Sequence, residues 1–352
     1  NAMPILTSYL IEADKDTNKL RFTASDLELT VIVEFEASVI ESGKVTINAK
    51  LFNDVIANLP NTVLSFARDD EQLHVDYSKS DYHFLIANAN RYPLIPPNDL
   101  ENAVEIEAPL YKRMINNTSF AVLKEGNKTV YNGIYWKIDK ENQIMASTDG
   151  TKIAEFIINK SSNIENESKA IIPLKGLSFL EKIIDNNSEE LLYAKIQPNR
   201  IIYTYKNYII YVNLLEGTYP DYTKAFPKEV QENKFLIDKE VLKSNVKRVS
   251  LLASEEFLKI RLDFSSNQEL MISAINRELG DAKEILNNID YDGNDLSLSL
   301  NYRHMLSIIE IIESDKLLIR MGNEKSPIMF YNEKKNDDFQ VKFLLMPLRR
   351  RK

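Results

Sequence analysis

The sequence predicts an α+β protein made of three similar domains in tandem, each a doubled unit of one helix followed by about four antiparallel strands. Two periodicities carry that expectation. The stretch Met145-Ala146-Ser147-Thr148-Asp149-Gly150-Thr151-Lys152-Ile153-Ala154 has counterparts in Phe22-Thr23-Ala24-Ser25-Asp26-Leu27-Glu28-Leu29 and in Ile272-Ser273-Ala274-Ile275-Asn276-Arg277-Glu278-Leu279. In each copy an alternating apolar strand leads to an Asp or Asn able to cap its own turn, and a second strand follows. Positions 26, 149 and 276 lie 123 and 127 residues apart, a domain-sized period. The second periodicity is finer. Amphipathic helix patterns fall at 49–59, 109–120, 173–184, 238–252 and 302–312, with starts 60, 64, 65 and 64 residues apart, each followed by strand-like runs.

Taken along the chain, the same step places a further helix before the first residue supplied, so the first half-repeat is expected to lack its beginning, a segment of about 25 residues. Asn1-Ala2-Met3 reads as a cloning scar before a start codon or as native sequence. The first domain is then expected over residues 1–102, ending in the Pro-rich junction Tyr92-Pro93-Leu94-Ile95-Pro96-Pro97-Asn98-Asp99. The second is expected over 103–229, closed by Ala225-Phe226-Pro227-Lys228-Glu229-Val230-Gln231-Glu232, and the third over 230–352. In the helix at 238–252, Leu242, Val246 and Val249 make an apolar stripe, while Lys239, Lys243 and Lys247 share the opposite kind of face.

Composition sets outer limits. A chain of 352 residues exceeds one ordinary core and suits two or three domains. Its 44% hydrophobic and 27% charged residues are those of a soluble globular protein. The absence of an 18-residue apolar run or a signal-peptide pattern predicts no membrane association and a cytoplasmic location. With no cysteine, disulfides, thiolate nucleophiles and Cys-ligated metals are excluded. His74, His83 and His304 are scattered in sequence, with no pair at helical spacing, so no metal is expected. There is no phosphate loop, no Gly-x-Gly-x-x-Gly and no Gly-x-Ser-x-Gly elbow, so no cofactor is expected either. Asp69-Asp70 and Asp337-Asp338 read as solvated turns, and no carboxylate pair stands out as a general acid and base. An enzyme stays open but has no constellation to support it, and the expectation, with the resemblance described below, is a protein that is not an enzyme.

The net charge of -8 argues against a generally basic coat, yet basic residues outnumber acidic ones on the helices. Lys50, Lys112, Arg113, Lys175, Lys182, Lys239, Lys243 and Lys247 lie there, joined by Arg248 and Arg303. From charge alone a solvated helix face is the simpler reading. The functional one is a surface that meets duplex phosphates without reading bases, since aromatics for stacking on single strands are scarce on these helices.

At this point the residues resemble a family, the bacterial sliding clamp, which is the beta subunit of replicative DNA polymerase III. The resemblance rests on Pro4-Ile5-Leu6, Ala24-Ser25-Asp26-Leu27-Glu28 and Asn48-Ala49-Lys50 leading to Leu59-Pro60 in the first domain. The second carries Tyr131-Asn132-Gly133-Ile134, Ser147-Thr148-Asp149-Gly150, Ile172-Pro173-Leu174-Lys175-Gly176 and Gly217-Thr218-Tyr219-Pro220-Asp221-Tyr222. The chain closes on Phe343-Leu344-Leu345-Met346-Pro347-Leu348-Arg349, like the family's Met-Pro-Met-Arg-Leu. Coverage is the whole chain, in order.

The resemblance implies a head-to-tail homodimer closed into a ring around double-stranded DNA, helices inside and sheets outside. It implies a processivity factor that slides without sequence specificity and tethers the polymerase III alpha subunit, the clamp loader and other proteins bearing a clamp-binding motif. Their Gln-Leu-x-Leu-Phe-like peptides are expected in a cleft walled by Tyr131, Thr148, Gly150, Thr151, Lys152, Ile153, Pro220, Lys224 and Ala225. From the third domain the implied walls are Phe257, Asn301, His304, Pro327, Leu344, Met346, Pro347, Leu348 and Arg349. Leu344 and Met346 read equally well as a buried terminal strand. The implied ring contact sets Tyr82 and Phe84, on an edge strand, against Leu251, Leu252, Glu278 and Asp281 of the other chain. The sequence departs from the family at Thr151-Lys152, where His-Arg is common, which removes an aromatic wall and a planar donor. It also runs on through Arg350-Arg351-Lys352. Two rivals stay open: a non-replicative binding protein of repeated domains, and an enzyme with a polar constellation that the sequence hides.

Overall fold

The computed structural model describes residues 3–94, 100–124, 126, 130–159, 166–333 and 338–348. The first stretch carries β1 (Ser8–Asp14), β2 (Lys19–Ser25), β3 (Leu29–Glu36), β4 (Gly43–Asn48), α1 (Ala49–Ile56), β5 (Ser65–Arg68), β6 (Gln72–Tyr77) and β7 (Ser80–Ala87). Next come β8 (Val104–Glu107), α2 (Ala108–Ser119), β9 (Gly133–Ile138), β10 (Gln143–Thr148), β11 (Lys152–Ile158) and β12 (Ser168–Pro173). These are followed by α3 (Leu174–Ile183), β13 (Leu191–Ile196), β14 (Arg200–Tyr205) and β15 (Tyr208–Asn213). The last stretch has β16 (Asn233–Asp238), α4 (Lys239–Ser250), β17 (Lys259–Ser265), β18 (Glu269–Asn276), β19 (Gly280–Asn287), β20 (Asp290–Asp292) and β21 (Leu296–Asn301). It closes with α5 (Tyr302–Ile311), β22 (Lys316–Met321), β23 (Ile328–Asn332) and β24 (Phe339–Leu345).

The five helices stand where the 64-residue step puts them, and local chemistry explains their starts. Asn48, Asp238 and Asn301 each accept a backbone N–H of the first turn through the side chain, so three of the helices are capped by the residue that ends the preceding strand. None among the described residues is long and apolar enough to cross a membrane.

The chain folds into two compact units. One is Asn1–Ala108 with Asn187–Leu214. Its sheet runs β5-β6-β7-β4-β1-β2-β3-β15-β14-β13-β8. Phe52 of α1 sits on this sheet among Ile11, Val45, Ile47, Leu73, Val75 and Phe84. The other unit is Pro109–Asn186 with Leu215–Lys352. It holds the sheet β12-β9-β10-β11-β24-β23-β22-β16-β20 and the sheet β19-β18-β17-β21. The predicted stripe of α4, Leu242, Val246 and Val249, is wholly buried, against Met305, Ile308 and Ile309 of α5 and both sheets.

One junction occurs twice. In the first unit β3 pairs antiparallel with β15, with Leu29 opposite Val212. In the second β11 pairs antiparallel with β24, with Lys152 opposite Leu345. Leu29 and Lys152 each stand three residues after a turn-capping Asp. Asp26 Oδ1 accepts from the N–H groups of Glu28 and Leu29, Asp149 Oδ1 from those of Thr151 and Lys152, and Asn276 Oδ1 from those of Glu278 and Leu279. At two of its three places the motif is therefore a turn whose outgoing strand also pairs with a strand distant in sequence, while after the third the outgoing strand, β19, is a sheet edge. The helix pairs also repeat a device: Lys112 Nζ of α2 donates to Ile184 O at the end of α3, and Lys239 Nζ of α4 to Ile312 O at the end of α5, each at 2.8 Å. A lysine in this position satisfies a carbonyl that the helix end leaves without an N–H partner.

Candidate peptide-binding site

The surface with the most concentrated recognition chemistry lies where β11 meets β24. Antiparallel pairing from Lys152 to Ile158 sets Ile153 opposite Leu344. Both side chains are buried in an apolar cluster with Ala146, Tyr222 and Met329, bordered by Tyr135, Tyr219, Ala225, Phe226 and Tyr331. The tyrosines form a floor: the Tyr135 and Tyr219 rings are stacked 5.1 Å apart, and Tyr131 and Tyr222 each approach Tyr219 at 6.4 Å. Burial pushes the Tyr219 and Tyr222 phenols up. The two hydroxyls are spent inward. Tyr219 Oη accepts the Thr148 N–H at 3.1 Å, and Tyr222 Oη donates to Glu155 Oε2 at 2.9 Å. Lys342 Nζ, 3.2 Å from Glu155 Oε1, completes that network.

The rim is the turn 149–151. Asp149 Oδ1 accepts from the Thr151 N–H at 2.8 Å, the Thr151 hydroxyl at 2.7 Å and the Lys152 N–H at 3.0 Å, while Oδ2 takes the Lys152 ammonium. Gly150 supplies the left-handed backbone, φ +88°, that the turn needs. Burial raises the Asp149 carboxyl, but the hydrogen bonds from Lys152 and Thr151 more than reverse this, leaving it below the ordinary carboxylate range. Thr148 Oγ1 donates to Lys152 O and accepts from the Gly150 N–H. The turn is tied outward in two places: Met346 N–H donates to Thr151 O at 2.8 Å, and Thr151 Oγ1 lies 3.3 Å from His304 Nδ1. His304 stands in the first turn of α5, held by the Asn301 cap; burial, then the charge of Lys152, depresses its pKa.

The residues expected at a partner cleft are thus brought together in large part. Tyr131, Thr148, Gly150, Thr151, Lys152, Ile153, Ala225, Asn301, His304, Leu344 and Met346 belong to this connected surface, and Pro220 adjoins Tyr219 in the chain. Leu344 is fully buried as a strand residue, as the terminal-strand reading expects, whereas Met346, just beyond β24, is 36% exposed. Pro347 and Leu348 are half-buried, and Leu348 N–H donates to Ser299 O. Lys224 is exposed and pairs with Asp221. Pro327 O accepts from Gln231 Nε2, and Phe257 is 47% exposed. Arg349, like Arg350, Arg351 and Lys352, lies outside the described residues. Sequence reasoning missed Tyr135, Tyr219, Tyr222, Phe226 and Met329, although Gly217-Thr218-Tyr219-Pro220-Asp221-Tyr222 held the signal for two of them.

Of the helix cations, Lys50, Lys175 and Lys182 are exposed. Lys112 and Lys239 are committed to the helix-end carbonyls, Arg113 forms a two-pronged pair with Glu313, and Lys243 and Lys247 share Glu310. The implied ring contact needs correction. β7 pairs with β4 only at Ile86 and Ala87, so Ser80–Leu85 do form an edge on that side. Phe84, however, is 4% exposed and points into the core, because the inward phase of β7 is Tyr82, Phe84 and Ile86. The outward residues are His83 and Leu85, the latter 75% exposed. In the other unit β19 is a sheet edge, and Leu251 is 79% exposed, Leu252 half-buried, and Glu278 and Asp281 exposed. Asp69 is more than a solvated turn, since it accepts two backbone N–H groups and holds His74; Asp337 lies outside the described residues.

The surface at β11 and β24 therefore combines a buried apolar cluster, a tyrosine floor and a hydrogen-bonded turn at its rim. Comparison with known proteins gives the family. Residues 1–96 match the N-terminal domain of the DNA polymerase III beta subunit, residues 105–221 its central domain and residues 223–349 its C-terminal domain. The beta sliding clamp of Staphylococcus epidermidis is 28% identical over 358 aligned positions, covering 99% of this chain and 92% of that protein. That of Staphylococcus aureus is 27% identical with the same coverage. Among solved structures, the DNA polymerase III subunit beta of Pseudomonas aeruginosa superposes with a TM-score of 0.91 at 23% identity, covering 99% of this chain and 93% of that one. The beta subunit of Streptococcus pyogenes DNA polymerase gives 0.91 at 20% identity, covering 99% and 94%. The chain belongs to the sliding-clamp family, the beta subunits of DNA polymerase III, and its function is that of a DNA polymerase processivity factor.

Proposed function

We propose that two copies of this chain close head to tail into a ring around duplex DNA, divided into domains near residues 102 and 229, and that the surface at β11 and β24 receives the peptides of its partners. The twofold junction inside the chain carries the ring reading. β3 meets β15 and β11 meets β24, which leaves β19 as the third donor edge and β7 as the third acceptor edge. The register transfers. Leu279 stands three residues after Asn276, as Leu29 and Lys152 do after their Asp. Leu85 stands seven before Tyr92-Pro93, as Val212 does before Tyr219-Pro220. Pairing β19 with β7 of a second copy therefore puts Leu279, 67% exposed, opposite Leu85, 75% exposed. A head-to-tail contact of this kind generates a closed ring when the rotation fits.

Enclosure removes the need for tight binding, so a few exposed cations suffice to meet phosphates, and the weak, salt-sensitive contacts let the ring slide. Lys50, Lys175 and Lys182 are the foremost of these. Lys112, Arg113, Lys239, Lys243 and Lys247 face the same duplex with part of their charge already answered by the protein. The subunit is a non-catalytic accessory to the polymerase and works in the cytoplasm. Its partners are the polymerase alpha subunit, the clamp loader and other proteins with a Gln-Leu-x-Leu-Phe-like segment, whose leucine and phenylalanine seat beside Ile153, Leu344 and the flexible Met346.

Fluorescence-anisotropy titration of a labelled Gln-Leu-Ser-Leu-Phe peptide tests the cleft. Micromolar binding, roughly -8 kcal/mol or weaker, that falls in the Met346→Ala variant is the expected result. Equal binding by both proteins would remove the cleft from this surface.

A further inference from the structure

Two of the chain's three histidines, separated in sequence, meet on the exposed face of the β6–β7 hairpin. His74 and His83 are directly opposite one another in the antiparallel register, with ring centroids 4.4 Å apart. Ile86 N–H donates to Glu71 O, which marks residues 71 and 86 as a hydrogen-bonded pair; counting along the alternation makes 74 and 83 a non-hydrogen-bonded pair, the kind whose side chains stand closest. Their neighbours Leu73, Val75 and Phe84 are buried, so the imidazoles are on the opposite, solvent-facing side, 28% and 45% exposed.

Each ring is also oriented. His74 Nε2 lies 2.9 Å from Asp69 Oδ2, and His83 Nε2 lies 3.1 Å from Asp81 Oδ2. Asp69 is itself fixed by the N–H groups of Glu71 and Gln72, which its Oδ1 accepts. With a carboxylate oxygen beside Nε2, the tautomer that donates from Nε2 is the one that offers Nδ1 to a metal. A carboxylate behind each imidazole is the arrangement that fixes tautomer and raises ligand basicity at metal centres. The next cross-strand pair, Asp76 opposite Asp81, places two like charges face to face beside the rings, which a cation would relieve.

We propose that His74 and His83 together bind one divalent transition-metal ion of the zinc, nickel or copper type through their imidazoles. Among the described residues no group of three or more ligand-type side chains is gathered for a metal, so the ion takes two protein nitrogens and completes its shell with water. Imidazole pairs select these ions over magnesium and calcium, which prefer oxygen.

The test is calorimetric titration of the whole protein with zinc and, separately, nickel chloride, alongside NMR of the histidine rings, of which there are only three. Expected are saturable binding of one ion per chain, shifts of the His74 and His83 ring signals with His304 unmoved, and loss of binding at about pH 5, where protons compete for imidazole. His83→Gln abolishes binding, and Asp69→Asn, which keeps both ligands, weakens it by roughly tenfold or more. Matching thermal melts of the metal-free variants show that the fold is retained. Absence of saturable binding up to about 1 mM metal, or binding that survives His83→Gln, overturns the proposal.

Discussion

The Asp149–Lys152 pair is the most consequential ion pair at the candidate site, and Asp149→Ala puts a figure on it. The two side chains are 11% and 8% exposed. Removing the carboxylate leaves an ammonium in a buried position and takes the common acceptor from two backbone N–H groups and the Thr151 hydroxyl. Breaking a buried pair by deleting one partner costs about 3–5 kcal/mol. Trp136, the only tryptophan, reports on this directly: it is fully buried in β9, which pairs with β10, the strand that leads into the turn. Urea unfolding followed by its fluorescence is expected to shift to lower denaturant by that amount. Asp149→Ala/Lys152→Met is expected to recover much of the loss, because the stranded charge is gone. The pH dependence has a definite sign. A carboxylate held below its usual pKa contributes stability that is present above the unfolded value, near 4, and lost as pH falls through the lowered folded value. The wild type should thus lose this contribution on acidification below about pH 4, and Asp149→Ala should lack that part of the acid limb. A cost below about 1 kcal/mol, or a double variant no more stable than the single one, would refute the reasoning.

Two further substitutions probe other levels of the structure. Gly133→Ala puts a Cβ 2.8 Å from both Ile172 O and Leu215 Cδ1, and the same fluorescence assay should show a loss of about 1–3 kcal/mol from overpacking against backbone. Leu279→Asp places a charge on the exposed turn before β19; light scattering should find the wild type dimeric at micromolar concentration and the variant monomeric with an unchanged melt. A wild type that is itself monomeric there would sink the ring.

The helices were legible because amphipathic spacing and the strand-ending Asn48, Asp238 and Asn301 caps are local facts. The three turns were legible for the same reason: an Asp or Asn two or three residues ahead of the N–H groups it accepts writes its hydrogen bonds into the sequence. What escaped depends on distant partners. The strands of the middle stretch divide between two sheets, β8 and β13–β15 in one and β9–β12 in the other, and no local periodicity announces that. Phe84 stands at the ring contact only by family resemblance, and because Phe84 and Leu85 are both apolar, alternation alone does not fix the phase of β7 that buries it. Lys112 and Lys239 read in sequence as cations of a helix face, yet each reaches the last carbonyl of a helix some seventy residues on. His74 and His83 looked unrelated because the hairpin that joins them turns at Ser78, φ 53°, without the Asn-Gly signature of such turns.

The β11–β24 ladder also has a meaning for the newborn chain. Lys152 to Ile158 are made well before their partners, Phe339 to Leu345. Until β24 is made, β11 is a bare apolar edge, Ile153, Phe156 and Ile158 included, in want of a strand that does not yet exist. Unpaired edges of this kind invite wrong pairing with other chains. Closing one sheet with strands so far apart in sequence ties distant parts of the subunit together, and it leaves the growing chain dependent on speed or on a chaperone until β24 arrives.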